Sequence, residues 1–262
     1  MPPAKRQKKE QEEVKESDGE EAGARAGQGT AAATAAAAAA ASSGAAEAAK
    51  PVLYSYWRSS SAWRVRLALA LKHIEYDYVA VNLLSGQHKS AEHDARNPMK
   101  QVPVLAIDGQ VLTQSVAIIE DLEERTPEPA LLPRDRATRA LVRKLVELVN
   151  SGIQPVQNMA VLNTVEKLGG DKAAYAREQI EAGLAAFEKE LARIPWRKPG
   201  DPYCIGASLS AADLFLVPQC YNALRYGVDL AKFPEINNIN SKLAAHWAFV
   251  KAHPNSQPDH QA

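Results

Sequence analysis

Hydrophobic residues follow two different periods along this chain. Between residues 52 and 125, short apolar runs rich in Val, Ile and Tyr alternate with helical segments, as in a βαβ unit followed by a β-hairpin and a helix. The dipeptide Asp108-Gly109 is the strongest hairpin signal. We therefore predict strands over residues 52–56, 76–81, 102–107 and 110–113, helices over 62–73 and 115–125, and a weak helix within 84–96.

After Arg134 the pattern becomes purely helical, because apolar residues recur every three or four positions. Prolines at 127, 129 and 133 mark a linker before it. The sequence therefore predicts an α/β domain over residues 51–133 and an all-α domain over 137–254. The helical spacing is carried by Leu141, Leu145 and Leu148, and by Ile180, Leu184, Phe187 and Leu191.

Residues 1–50 have a different composition, since charged residues dominate their first part and alanine dominates residues 31–49. Such a segment buries too little apolar surface to offset its ordering entropy, so we predict a disordered tail. The basic residues between 5 and 9 fit either a nuclear import signal or a solvated charged tail, and we favour the latter. No run of about 18 apolar residues exists, which predicts no transmembrane helix.

The formal net charge of the 262 residues is zero, so the sequence gives no reason to expect nucleic-acid binding. Cys204 and Cys220 are the two cysteines, and they lack the spacing of a zinc site or a disulfide framework. These features indicate a reduced, cytoplasmic protein that binds neither nucleic acid nor membrane and holds no metal.

The run Ser59-Ser60-Ser61 lies where the first strand ends and the first helix begins. Such a junction concentrates unpaired backbone N–H groups and the positive end of a helix dipole, so it suits an anion. If the thiol of a cofactor is docked there, a serine hydroxyl can hold it as the thiolate.

Two other junctions could bind a ligand, and the one at Gln114-Ser115 follows a strand of the same small sheet as the serine turn, so these two turns would open at one edge. Val102-Pro103 begins a strand, and the residues alone leave its peptide bond open between cis and trans. A cis bond would turn the Val102 backbone toward a peptide-like ligand. Ser115, after Gln114, is predicted as a helix N-cap, and both side chains also suit a ligand carboxylate.

Two further features lie in the helical half. Ser210 and Asp213 form a predicted capping box, with Leu209 and Leu214 as its hydrophobic staple, and we assign them a folding role. Arg225 follows an apolar helix. A lone arginine is commonly a solvated surface charge, and the alternative is a bidentate clamp for a substrate carboxylate.

Over residues 52–258 the chain resembles the zeta class of glutathione transferases. The matching segments occur in the family's order. They are Tyr54-Ser55-Tyr56, Ser59-Ser60, Trp63-Arg64-Val65-Arg66, Asn97-Pro98-Met99-Lys100-Gln101-Val102-Pro103, Gln114-Ser115, Gly152-Ile153-Gln154-Pro155, Val217-Pro218-Gln219, Val228-Asp229-Leu230 and Gln257-Pro258-Asp259.

The resemblance implies a thioredoxin-like first domain, an all-helical second domain, a cis Pro103, a homodimer and glutathione as cofactor. By position, Ser60 would face the glutathione sulfur, with Ser59 and Ser61 beside it, and Val102 would pair with the cysteinyl backbone. Gln114 and Ser115 would hold the γ-glutamyl carboxylate, and Arg225 the acidic substrate. Further glutathione-binding positions implied in this way are Arg64, His88, Gln154 and Asn158.

The implied function is a glutathione-dependent cis–trans isomerase that converts maleylacetoacetate to fumarylacetoacetate in tyrosine and phenylalanine catabolism, with transferase activity on small α-haloacids. A general detoxifying transferase and a non-catalytic glutathione-binding scaffold are the alternatives. Two positions depart from the family, which usually has cysteine at Ser61 and glutamine at His88. Isomerisation needs only the cofactor thiolate, whereas reductive dehalogenation in relatives uses a protein cysteine, so we predict that this chain lacks the reductive reaction.

Overall fold

The computed structural model describes residues 49–261. The predicted disordered tail and its basic run therefore lie, apart from residues 49 and 50, outside the described residues. The N-terminal half of the described chain contains a four-stranded sheet. Its strands are Val52–Ser55 (β1), Asp77–Ala80 (β2), Val104–Ile107 (β3) and Gln110–Thr113 (β4).

The strand order is β2-β1-β3-β4, with β1 parallel to β2 and antiparallel to β3. The predicted hairpin between β3 and β4 is confirmed, because Ile107 pairs with Gln110 across Asp108 and Gly109. Both turn residues have positive φ, at 48° and 75°, as a two-residue type I′ turn requires. The third strand starts two residues later than predicted, since Pro103 has no N–H to donate to a ladder.

Three α-helices accompany the sheet, and the first is almost entirely buried among the described residues. Every residue of α1 except Ser61 is buried, because the helix packs against α3 and against two helices of the C-terminal half. This agrees with its apolar residues on nearly every side. The weak helix predicted within residues 84–96 covers only Ala91–Arg96. The helices are Ser60–Leu71 (α1), Ala91–Arg96 (α2) and Ser115–Arg125 (α3).

The remainder of the described chain is helical, as predicted. The capping box of Ser210 and Asp213 is present, with the Asp213 carboxylate accepting the Ser210 N–H at 2.8 Å. Between residues 49 and 261 no helix has both the length and the hydropathy that crossing a membrane requires. The helices are Arg136–Glu147 (α4), Met159–Lys167 (α5), Lys172–Ala192 (α6), Ala211–Arg225 (α7), Pro234–Leu243 (α8) and Trp247–Ala252 (α9).

The helical half contains a π-helical turn over Leu148–Ile153 that continues α4 and that the periodicity did not predict. At its end the Gln154 N–H bonds to the Val149 carbonyl, five residues earlier, and Pro155 follows without an N–H of its own. The wider turn rotates the side chains that follow it about the helix axis. π-Helical turns of this kind are frequent at functional sites.

Candidate active site

The serine run occupies the junction between β1 and α1, as predicted. Ser59 is the N-cap of α1, and its Oγ accepts the Ala62 N–H at 3.2 Å. A capping hydroxyl that already accepts a bond keeps its own hydrogen for another partner. Ser60 and Ser61 are the first two helical residues, and Ser60 is only 8 % exposed. The positive end of the α1 dipole lies at this turn.

The Val102–Pro103 peptide bond is cis. The Val102 side chain is buried against Tyr56 and Trp57, the two residues that lead into the serine turn. Because the sheet ladder begins at Val104, the N–H and C=O of Val102 lie outside it. The structure therefore brings this backbone segment next to the serine turn.

The start of α3 differs from the prediction. Gln114 takes the N-cap position, with φ at 69°, and its side chain makes no capping bond. Ser115, predicted as the N-cap, is instead the first helical residue and is buried. The reason is that its Oγ accepts a hydrogen bond from Arg64 Nη1 at 3.2 Å instead of one from the helix backbone.

Arg64 is buried beneath Ser115, with 1 % of its surface exposed. The same Nη1 donates to Asn150 Oδ1 at 3.1 Å, and the guanidinium lies 4.3 Å from the centroid of the Phe215 ring. Among the described residues, Nε and Nη2 have no hydrogen-bond partner. Burial lowers the pKa of Arg64 to about 9, and the charge of Glu147 opposes that shift. An action of Arg64 on a ligand would therefore pass through Ser115.

Arg225 is the last residue of α7 and is exposed. Partial loss of solvent is the main cause that lowers the pKa of Arg225, and the positive charge of Arg58, the residue before Ser59, lowers it further. Tyr56 of the same turn has the opposite effect on this pKa. Arg225 Nη1 donates to Asn222 Oδ1 at 3.4 Å. The positive charge of Arg58, which directly precedes the serines, thus lies within electrostatic range of Arg225. This arrangement suits a ligand that carries negative charge.

The other predicted glutathione-binding residues have local contacts. Gln154 is half-buried directly after the π-helical turn. Asn158 caps α5, with its Oδ1 accepting the Ala160 N–H at 3.2 Å. His88 lies in a 3-10 turn, where its Nδ1 is buried without a partner among the described residues, and burial is the main cause that lowers its pKa.

Sequence reasoning missed four residues around the site: Arg58, Arg66, Asn150 and Asp259. Arg66 carried a signal, because an arginine within an otherwise apolar helix is unusual at a buried position, and Arg58 carried one as a charge directly before the serine run. Asn150 carried none, since its contacts depend on tertiary structure, whereas Asp259 lies in the segment Gln257-Pro258-Asp259 that matches the family, although its partners could not be read from that segment. Cys204 and Cys220 are fully buried with raised thiol pKa values, mainly through burial, so neither contributes a reactive thiol.

Comparison with known proteins agrees with this geometry. Residues 50–124 match the model of the glutathione S-transferase N-terminal domain, and residues 133–255 match that of the C-terminal domain. Maleylacetoacetate isomerase from Mus musculus is 47% identical over 215 residues, covering 81% of this chain and 96% of the relative. The enzyme of that name from Rattus norvegicus is 48% identical with the same coverage.

Two solved structures are also similar. A zeta-class maleyl pyruvate isomerase matches with a TM-score of 0.77 and 40% identity, covering 80% of this chain and all of that chain. Maleylacetoacetate isomerase from Anaeromyxobacter dehalogenans, with glutathione bound in its active site, matches with a TM-score of 0.72 and 50% identity, covering 81% and 98%. This chain therefore belongs to the glutathione S-transferase family, within its zeta class of maleylacetoacetate isomerase relatives.

Proposed function

We propose that the chain is a glutathione-dependent cis–trans isomerase that converts maleylacetoacetate to fumarylacetoacetate. The observation that carries the proposal is the serine-capped N-terminus of α1 beside the cis Val102–Pro103 bond. The relatives named maleylacetoacetate isomerase support the substrate, which is a diketo diacid and therefore an anion that two guanidinium groups suit.

The residues present fit glutathione. Ser115 and the N-terminus of α3 would hold the γ-glutamyl carboxylate, because the Arg64 bond leaves the Ser115 hydroxyl hydrogen free to donate. The Val102 backbone lies outside the sheet ladder and would pair with the cysteinyl backbone. His88, Gln114, Gln154 and Asn158 remain proposed contacts at the edges of this site.

When bound, glutathione supplies the thiol nucleophile, whose reversible addition to the conjugated double bond permits rotation about it. The chain has to hold that thiol as its anion. A free thiol has a pKa near 8.5, so lowering it by about two units requires roughly 2.7 kcal/mol of selective stabilisation. One hydroxyl hydrogen bond to an anion contributes about 1.5–3 kcal/mol, and the helix dipole adds about 0.3–1 kcal/mol.

The geometry favours Ser59 over Ser60 as the hydroxyl that meets the sulfur. Ser59 is half-buried at the open end of the turn, and its Oγ already accepts the Ala62 N–H, so its hydrogen is left to donate to an anion. Ser60, the residue favoured by the sequence, is almost fully buried. Ser61 is the second residue of the helix, and it contributes to the site only by its place near the positive end of the helix dipole.

An isomerase assay with and without added glutathione tests the proposal. Ser59→Ala should lower kcat about a hundredfold, Ser60→Ala should do so less, and Ser61→Ala should leave it within about threefold. Arg225→Met should raise the KM for the diacid. Activity that persists without glutathione would sink the proposal, as would full activity of the Ser59→Ala, Ser60→Ala double variant.

A second candidate activity is conjugation of glutathione to small α-haloacids, which needs the same thiolate. Glutathione transfer in general is supported by a relative named glutathione S-transferase 1 from Dianthus caryophyllus, 43% identical over 207 residues. Measuring haloacid turnover beside isomerase turnover ranks the two. A protein that binds glutathione but performs neither reaction would be the non-catalytic scaffold.

A homodimer and a cytoplasmic location complete the proposal. The family supports the dimer, and the two buried, unpaired cysteines support a reducing compartment. Light scattering on the purified protein would give its mass in solution against the 28.4 kDa of one chain. Fractionation of cells that express the chain would test the location.

A further inference from the structure

The turn that presents the serines is held from inside by a buried arginine. Arg66, which is fully buried, donates from Nη2 to the Trp57 carbonyl at 2.9 Å and from Nη1 to the Tyr56 carbonyl at 3.4 Å and Ser55 Oγ at 3.1 Å. Its Nε donates to the Ala252 carbonyl at 3.1 Å, at the end of α9. One side chain of α1 therefore ties the turn to the C-terminal part of the described chain.

The same turn is held from outside by residues 257–260, which we call the C-terminal strap. Asp259 Oδ2 accepts the Trp57 N–H at 3.0 Å, and Asp259 Oδ1 accepts the Tyr78 hydroxyl at 2.7 Å. The His260 ring meets the Trp57 ring edge-on at 4.8 Å between centroids. One carboxylate thus bridges the end of β1 and the second strand, across about two hundred residues of sequence.

The strap has its own anchor. The buried Gln257 donates from Nε2 to the carbonyls of Lys251 at 3.1 Å and His253 at 2.9 Å. The His260 N–H closes a turn on the Gln257 carbonyl at 3.1 Å. Both ends of this turn are hydrogen-bonded, so Asp259 is held in place independently of its own bond to Trp57.

The Trp57 N–H is two residues from the N-cap of α1. The Ser59 N–H bonds to the Tyr56 carbonyl at 3.0 Å, so the position of Ser59 follows from the conformation of residues 56–58. Loss of the Asp259 carboxylate would leave the Trp57 N–H unpaired and release one side of this turn. A displacement of about 1 Å at a reacting group removes a large part of what that group contributes to catalysis.

We propose that Asp259 is a positioning residue of the glutathione site, which the C-terminal strap holds in register through the Trp57 N–H. The inference rests on the proposed function, because it concerns the same serine turn. Asp259 acts through the backbone of that turn and not by touching the ligand. Its removal weakens glutathione binding and raises the pKa of the bound thiol.

The test compares Asp259→Ala with Asp259→Asn and with Asp229→Ala. Asp229 is the matched control, since its Oδ1 also accepts a backbone N–H, that of Ala231 at 2.9 Å, at the start of a short 3-10 turn. Calorimetry gives the glutathione Kd, and the ultraviolet absorbance of the thiolate against pH gives the pKa of the bound thiol. Thermal unfolding monitors the fold in each variant.

Asp259→Ala should raise the glutathione Kd about five- to tenfold and the bound-thiol pKa by about half a unit or more. Asp259→Asn should stay within about twofold of the wild type, because an amide oxygen still accepts the Trp57 N–H. Asp229→Ala should change neither quantity. Unchanged Kd and thiol pKa in Asp259→Ala would overturn the proposal, as would equal changes in Asp229→Ala.

Tyr78→Phe gives a second route if Asp259→Ala does not fold, because it removes only one bond to the carboxylate and keeps the ring. It should move the Kd and the thiol pKa in the same direction by less, and no movement at all would count against the strap. A wild type that binds no glutathione would overturn both proposals. A wild type that binds glutathione without isomerising maleylacetoacetate would sink the proposed function alone, since the Kd and thiol pKa need no turnover.

Discussion

Arg64 Nη1 lies 3.2 Å from Ser115 Oγ, so a guanidinium of the first helix orients the hydroxyl that begins the third. The same nitrogen reaches Asn150 in the π-helical turn. The relationship places a buried positive charge directly behind a proposed carboxylate-binding group. Arg64 can therefore affect ligand binding through Ser115 and stability through its own burial, and the two effects can be measured separately.

Arg64→Met should weaken glutathione binding with little loss of stability. Burial of the Arg64 guanidinium carries a desolvation cost that disappears with the charge and offsets its lost hydrogen bonds, while Ser115 loses the donor that orients it. We expect the glutathione KM to rise about tenfold, which corresponds to about 1.4 kcal/mol. Arg64→Lys keeps the charge and serves as the control. A large drop in Tm with unchanged KM would assign Arg64 to folding alone.

Ser61→Cys should create a reactive thiol in a protein that otherwise has none. The wild type should not react with a disulfide reagent until it unfolds, and should then show two thiols, because Cys204 and Cys220 are buried with raised pKa values. Near the N-terminus of α1 the new thiol should react rapidly and form a mixed disulfide with glutathione. Ser61→Ala is the matched control. Rapid labelling of the native wild type would contradict this prediction.

Gly183→Ala should destabilise the protein, although alanine normally favours a helix. A Cβ at Gly183 in α6 would overlap the side chain of Ile153, the last residue of the π-helical turn. Overpacking of this kind costs about 1–3 kcal/mol, more than the roughly 0.5–1 kcal/mol gained from helix propensity. Gly152→Ala is the control, because its Cβ would meet only a carbonyl oxygen at 4.0 Å. Thermal unfolding decides, and a higher Tm for Gly183→Ala would refute the argument.

Acid should destabilise the protein in part through His253. Burial lowers the pKa of His253 from 6.5, and the charges of Arg66 and His260 add to this. Below pH 6.5 the unfolded chain therefore binds more protons than the folded one, so this contribution to stability falls as the pH decreases and is constant above that range. His253→Asn keeps an acceptor for the Asn255 N–H without titrating.

The measurement for that prediction is the Tm at pH 7.5 and at pH 5.5. The wild type should lose more Tm over this interval than His253→Asn. The slope that remains in the variant includes His88 and His246, whose pKa values burial also lowers. Identical losses in the two proteins would rule out His253 as a source of acid sensitivity.

Local patterns predicted most of the fold. The Asp108-Gly109 turn, the capping box of Ser210 and the apolar surroundings of α1 all depend on neighbours a few residues apart, and all three are observed. The π-helical turn escaped prediction because its amide partners are set by packing and by Pro155 rather than by hydrophobic period.

The site was predicted only in outline. Sequence could indicate that two turns, at Ser59–Ser61 and at Gln114-Ser115, open at one edge of the sheet, but the N-cap assignment of Ser115 was wrong because Arg64, fifty-one positions earlier, takes its hydroxyl. The bond between Asp259 and Trp57 spans 202 positions. Neither contact leaves a periodic trace, since each depends on how distant helices and strands meet.

The burial of α1 between the sheet domain and the helical half also has a consequence for unfolding. The larger apolar cluster of the described residues runs from Leu53 in β1 through α1 to Phe249 in α9, so the boundary between the two matched domain models is not a boundary in packing. Residues of the sheet and of the helical half should therefore lose their structure in one cooperative transition. Amide hydrogen exchange in α1 should accordingly be the slowest in the described chain and should report global unfolding.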